Sequence, residues 1–365
     1  MEIVDSKYFD EIVSLLADMV RIPSFSREEG PVADLVERWL SGHGLAPHRV
    51  GNNVWLDSDD SAASHDVYVT GEGGRRTILL NAHIDTVRPA GGYTRDPFTP
   101  VIEDGKMYGL GTNDDGASFA ATLAAYLILV SKPQEYRLIW SATAEEEVCG
   151  KGGIEAAFPF WGDIDLGIIG EPTGMAMAVA EKGLMVLDCI AEGKSGHAAR
   201  EEGINAIYKA IPDIEWFRTY RFPKLSPYLG EVKMSVTQIN AGTQHNIVPD
   251  LCTFVVDVRS NGMYSNPELL ALIKSSVSCT VRERSTRLGS SHIEPGHPIV
   301  RRAESMGIPI FGSSTTSNQT LSHFPTVKMG PGDSARSHTA DEYIYIEEIR
   351  QGIMGYVALL DGFEF

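Results

Sequence analysis

The stretch Thr77-Ile-Leu-Leu-Asn-Ala-His83-Ile-Asp85 is a short apolar run closed by an imidazole and a carboxylate. Thr77 to Ala82 reads as a buried strand that delivers His83 and Asp85 at its carboxyl end. Outward from it the same grammar repeats. Ala117 to Val130 reads as a helix that ends before Pro133. Tyr136 to Thr143 reads as a second strand and delivers Glu145-Glu146-Glu147, and Asp165 to Ile169 reads as a third and delivers Glu171. Strands alternating with helices predict an α/β sheet, and such sheets keep their sites at the carboxyl ends of strands. Upstream, Ile12 to Val20 and Val32 to Leu40 show helical spacing, the latter stopped by Gly42 and Gly44.

From about Ala180 the pattern changes. Strands over Leu184–Ala191, Val232–Ile239, Leu251–Val258 and Cys279–Arg284 interleave with helices over Gly203–Phe217 and Pro267–Val277. That order is βαββαβ, the split ferredoxin-like arrangement. The expected organisation is one domain from residues 1–179 and 289–365, with a mixed central sheet flanked by helices, and an inserted ferredoxin-like domain over 180–288. The polar run Gly312–Asn318 is expected to be a loop lining the site.

The chain has 365 residues and a formal net charge of -18. That charge argues against nucleic acid, whose phosphates need Lys and Arg. Cys149, Cys189, Cys252 and Cys279 form no CxxC pair and read as reduced, which fits a cytoplasmic setting. The acidic start Met1-Glu-Ile-Val-Asp5 is not a signal peptide, and no stretch is long enough to span a membrane.

The chemistry lies in the order of the polar motifs. His83 can hold a metal while Asp85, two residues on and on the same side of a strand, orients it. Asp114, in Gly109-Leu-Gly111-Thr-Asn-Asp114-Asp115-Gly116, can bridge two cations through its two oxygens; a helix N-cap is the plainer reading. The same loop lacks the third glycine of a dinucleotide fingerprint. Adjacent glutamates point different ways, so one of the triplet can ligate while another stays free as a general base. Glu171 precedes Pro172, which biases it toward an extended backbone. His338, in Ser337-His-Thr-Ala-Asp-Glu342, adds a last imidazole, with Asp341 or Glu342 behind it. Imidazole with carboxylate suits zinc, and a metal pair is a standard hydrolytic device.

In this succession, His83-Ile-Asp-Thr-Val87, the Gly109–Asp115 loop, the Glu triplet, Glu171-Pro-Thr173, Gly196-His-Ala-Ala199, Asp257-Val-Arg259 and Ser337–Glu342 resemble the M20 family of metallopeptidases and deacylases. The likeness is strongest to its acetylornithine deacetylase and succinyl-diaminopimelate desuccinylase branch. The resemblance implies a zinc-peptidase-like catalytic domain and an inserted lid that serves for dimerisation. It implies that His83 and Glu171 hold one zinc, Glu147 and His338 a second, with Asp114 between them and cobalt able to substitute. Glu146 would be the general base and Asp85 the residue orienting His83. The peptide bond after Asp114 would be cis. His197 would stabilise the oxyanion in a partner subunit's site. Asn246 and Arg259 would grip the substrate carboxylate, with Lys182 and Arg336 as weaker candidates for that task. Two positions depart from the family: Gly116 stands where a lysine is usual, and Glu145 where aspartate is frequent.

The expected activity is hydrolysis of an N-acyl amino acid, first an N-acetylated ornithine-like one, by a homodimeric cytoplasmic enzyme of amino-acid biosynthesis. N-succinyl-ornithine, N-acetyl-citrulline and N-succinyl-diaminopimelate are the neighbouring substrates. A peptidase shares the same metal core. A metal-binding protein without catalysis would be expected to have lost the base or a ligand, and none of the six positions is lost.

Overall fold

A computed structural model of the chain describes residues 7–60, 75–200 and 202–365. The acidic start at residues 1–5 lies outside them. The described residues form two compact units, one of those within 1–179, 293–311 and 317–365, the other of those within 180–292 and 312–316.

The first unit is built on a mixed sheet. In spatial order its strands include His48–Val50, Asn53–Asp57, Tyr136–Thr143, Arg76–His83, Leu166–Ile169, Thr326–Lys328 and Met177–Glu181. The middle four run parallel. Asn53–Asp57 and Met177–Glu181 pair antiparallel at the two sides. Arg76–His83 is buried from Thr77 onward, as an apolar strand covered on both faces should be. The helix Gly116–Leu129 is apolar almost all round and buries twelve residues from Gly116 to Leu129. A helix of that kind has no solvent face and must lie inside, and it packs on both the helix Ile346–Leu360 and the strand Arg76–His83. The carboxyl ends of Arg76–His83, Tyr136–Thr143 and Leu166–Ile169 fall side by side in parallel register, His83 opposite Thr143 and Asn81 opposite Ile169. Three acidic or imidazole motifs thus leave one edge of one sheet.

The second unit is a four-stranded antiparallel sheet in the order Lys233–Ala241, Leu251–Ser260, Gly183–Glu192, Thr280–Glu283. In the two central strands every second residue is buried. Those residues pack with the helices Ala206–Thr219 and Asn266–Ser276 into a separate apolar core. Asn205 caps the first helix through its side chain at Ile207 N, which moves the start past the glycine expected to open it. Ser265 and Glu268 form a reciprocal capping box on the second.

The run 312–318 is not one loop. Gly312 and Ser313 complete the strand Ile310–Ser313. Residues 312–316 belong to the second unit, whereas Ser317 and Asn318 are buried in the first. Among the described residues no helix is long and apolar enough to cross a membrane, and the four cysteines are unbridged.

Candidate metal centre

The first unit gathers its six chemical side chains at one place. His83 Nε2 lies 3.1 Å from Asp114 Oδ1, and His338 Nε2 lies 3.7 Å from Asp114 Oδ2. One carboxylate therefore shows one oxygen to each of two imidazoles. His338 Nε2 is also 3.1 Å from Glu147 Oε1. Glu146 Oε2 is 3.9 Å from His83 Nε2. Donor atoms of His83, Asp114 and Glu147 lie within 4.8 Å of one another, and so do those of His83, Glu146 and Glu171.

The electrostatics say that the cluster is short of cations. Burial pushes the Glu146 carboxyl well above its usual range, His83 opposing and Glu147, Asp85 and Asp114 adding to the rise. Glu171 is pushed up by burial and by Glu146, with Lys328 the cation that opposes. His83 is held well above an ordinary imidazole although burial works against its charge; the bonds to Asp114 and Asp85 win. His338 rises to about 9, chiefly through its bond to Glu147. Like carboxylates crowded into a buried site raise one another unless positive charge intervenes. Imidazole nitrogen and carboxylate oxygen are donors that suit a pair of divalent ions, so the residues present fit such a group.

Asp85 does more than the expectation assigned to it. The ring N–H side of His83, Nδ1, meets the Asp85 backbone carbonyl at 2.9 Å, with the carboxylate at 3.4 Å. The Asp85 carboxylate also accepts from Glu146 N at 3.0 Å, Glu147 N at 3.2 Å and Ser26 Oγ at 2.7 Å. It fixes the turn that carries both glutamates. Glu29, fully buried and unmarked by any sequence motif, does the same from the other side. Its Oε1 accepts from Glu145 N at 3.1 Å and from Arg27 N at 2.6 Å, and its Oε2 accepts from Asn52 Nδ2 at 2.9 Å. Asp115 is not a second bridging residue. It is buried, its Oδ2 accepts from His83 N at 3.3 Å, and burial raises it to about 7. The bond between Asp114 and Asp115 is cis. Gly116 has no room for a side chain, since a Cβ there would stand 2.4 Å from Leu16 Cδ1 and 2.5 Å from the Gly111 carbonyl.

Under the site lies a polar cluster that spacing does not reveal. Asn318 Nδ2 donates to Asn81 Oδ1 at 3.1 Å and Thr143 Oγ1 at 3.2 Å, and Asn81 Nδ2 donates to Thr143 Oγ1 at 2.9 Å. It ties the end of the His83 strand to the end of the Glu146 strand.

The remaining candidates are placed elsewhere. Arg336 is committed: it forks onto Glu348 at 2.6 and 3.0 Å and lies over the rings of Tyr343 and Tyr345. It is therefore a brace, not a spare cation, because the acidic first turn of the helix Ile346–Leu360 faces it. His197, Asn246, Arg259 and Lys182 all lie in the second unit. His197 is exposed, and its Nδ1 accepts from Ala199 N at 3.1 Å, which leaves the ring proton on Nε2. The Asn246 backbone carbonyl accepts from Ala198 N at 3.1 Å, beside the antiparallel pairing of His197 with Ile247. Arg259 forks onto Asp257 at 2.8 and 3.0 Å and reaches the Thr316 hydroxyl at 3.4 Å. Lys182 is buried and donates to the Glu231 carbonyl at 2.8 Å.

Residues 79–362 match the peptidase family M20/M25/M40. The chain belongs to this family. It is 26% identical over 367 residues to a succinyl-diaminopimelate desuccinylase of Cereibacter sphaeroides (strain ATCC 17029 / ATH 2.4.9), covering 92% of this chain and 94% of the relative. It is 29% identical over 291 residues to an acetylornithine deacetylase of Pectobacterium carotovorum subsp. carotovorum (strain PC1), covering 74% and 76%. Its fold matches the crystal structure of aminopeptidase PepT from Bacillus cereus ATCC 10987 with a TM-score of 0.76 at 21% identity, covering 96% of this chain and 98% of that one. The M20 chain is accordingly a metal-dependent hydrolase of the peptidase and deacylase type.

Proposed function

We propose that the chain is a two-zinc deacylase that removes the acetyl group from an N-acetylated, ornithine-like amino acid. The observation that carries this is the placing of Asp114, one oxygen toward His83 and one toward His338, with Glu146 beside them as a buried carboxyl of raised proton affinity.

The bound ions would polarise the acyl carbonyl and acidify water. His83, Glu171, Asp114, Glu147 and His338 would hold them, zinc natively and cobalt as a substitute. Glu146 takes the proton of the attacking water and passes it to the leaving amine, the role of a general base. Asp85 keeps Glu146 and Glu147 in register by holding both of their backbone amides. His197, with its proton on Nε2, is in the donor form that an oxyanion needs. Arg259, oriented by Asp257, and Asn246 are assigned the substrate carboxylate.

The acetyl group is favoured over succinyl because a second substrate carboxylate needs a further cation. Arg259 is already assigned to the first carboxylate, and Lys182 is buried against a carbonyl. We further propose a homodimer through the second unit and a cytoplasmic location, in keeping with four unbridged cysteines. The test is a panel of N-acetyl and N-succinyl amino acids and a tripeptide, assayed with zinc and with cobalt. N-acetylornithine should give the highest kcat/KM. Cleavage of the tripeptide alone would overturn the deacylase proposal.

A further inference from the structure

Glu342 is almost fully buried, 2% exposed. Its two carboxylate oxygens are spent on the backbone of the turn before the helix Gly116–Leu129. Oε1 accepts from Asn113 N at 2.9 Å and from Asp114 N at 3.0 Å, and Oε2 accepts from Gly111 N at 3.1 Å. The Glu342 carbonyl accepts from Gly109 N at 3.0 Å. Four amides of one turn thus converge on one residue. The turn can wrap so tightly because Gly109 and Gly111 take positive φ, and a Cβ at Gly111 would meet Thr86 Cγ2 at 2.6 Å.

The same segment carries His338. The Asn113 side chain donates to the Asp333 carbonyl at 3.1 Å and to Ser337 Oγ at 3.2 Å, and accepts from Asp333 N at 3.0 Å. Asp341, next to Glu342, fastens the other side by accepting from Thr94 N at 2.9 Å, Thr94 Oγ1 at 2.6 Å and Arg95 N at 3.1 Å. The Asp114 turn and the His338 loop are therefore one hydrogen-bonded body with Glu342 at its centre.

We propose that Glu342 is the positioning residue of the metal centre, a carboxylate that gathers the amides of the Asp114 turn and so aims the two Asp114 oxygens at His83 and His338. The proposal rests on the two-metal reading of the site. A carboxylate is needed because three N–H groups converge on it, and it accepts at both oxygens; an amide would turn a donor toward one of them. Groups that orient ligands in this way typically govern metal affinity about 10–100-fold.

The experiment is cobalt titration of the metal-free full chain and its Glu342→Gln variant, followed by calorimetry and by the visible cobalt spectrum, with folding checked by circular dichroism. The variant is expected to bind the ion pair about 10–100-fold more weakly with an altered spectrum. Its kcat should fall while KM stays within about twofold, since Glu342 does not meet substrate. Wild-type affinity for both ions with an unchanged spectrum would overturn the proposal. Should Glu342→Gln fail to fold, Glu342→Asp keeps both oxygens but withdraws them by one methylene, and the same two outcomes decide. A wild-type chain that binds no cobalt pair would sink the metal centre itself, a failure visible before any variant is made.

Discussion

His338 Nε2 stands 3.1 Å from Glu147 Oε1, although 191 residues separate them along the chain. The contact joins the turn after the strand Tyr136–Thr143 to the loop before the strand Tyr343–Tyr345. Two further groups frame it, Asp114 at 3.7 Å from the same nitrogen and, through Asp114, His83.

Replacing His338 with Ala should remove one metal position and leave the other. His83 is buried on a strand, whereas His338 sits exposed on a loop, so the second position is the open one. Metal analysis of the purified variant should fall from about two ions per chain to about one, with kcat/KM lowered at least about 10²-fold, as befits loss of a metal that stabilises developing charge. Two tightly held ions in His338→Ala would exclude His338 as a ligand.

Metal uptake should release protons near neutral pH. In the metal-free chain the Glu147 carboxylate raises His338 to about 9, and His83 is raised as well. His338 is then protonated at pH 7, His83 is biased the same way, and a metal needs both neutral. The sign follows: apparent affinity should strengthen as pH rises toward 9 and weaken below it. A raised imidazole also adds stability to the metal-free fold that is complete below about pH 6.5 and lost as pH climbs through 9. Calorimetry of zinc binding in buffers of different ionisation enthalpy counts the protons. Binding with no proton release at pH 7 would show that the histidines are not displaced from their carboxylate bonds.

Much of this was legible in the sequence for a physical reason. Buried parallel strands write themselves as continuous apolar runs, so Thr77 to Ala82 and Tyr136 to Thr143 could be read directly, and a ligand at a strand end follows in the next two or three residues. The helix Gly116–Leu129 was equally plain, because it buries every face. The partners of the ligands were not legible. Glu29 and Asn318 act through backbone amides and other amides, bonds that depend on where distant turns land and leave no spacing signal. Arg336 looked free because its partner Glu348 belongs to the first turn of the next helix, and only the fold brings the two together. Asp85 was expected to bond His83 through its carboxylate. Its backbone carbonyl shares that role at 2.9 Å, with the carboxylate at 3.4 Å, because the carboxylate is also drawn to the amides of Glu146 and Glu147.

The second unit should make the homodimer. Its sheet ends in the strand Lys233–Ala241, which pairs on one side alone among the described residues. Tyr208 and Ile211, one helical turn apart on the helix Ala206–Thr219, are 71% and 53% exposed, and Ile239 on the edge strand is 53% exposed. An apolar edge of this kind pairs with a second copy or aggregates. Tyr208→Glu with Ile211→Glu should convert the dimer to a monomer in sedimentation velocity while thermal stability changes by less than about 1 kcal/mol, as expected of surface positions. A wild-type chain that sediments as a monomer and is fully active would rule the dimer out.

The most direct measurement is metal content and turnover, made side by side on the wild-type chain and on Glu146→Ala. Two zinc ions per chain are expected in both proteins, with kcat on N-acetylornithine lowered about 10²–10⁴-fold in the variant, the span of a lost general base. Normal turnover in Glu146→Ala, or loss of a zinc ion together with activity, would contradict the assignment of Glu146 as the group that moves the proton.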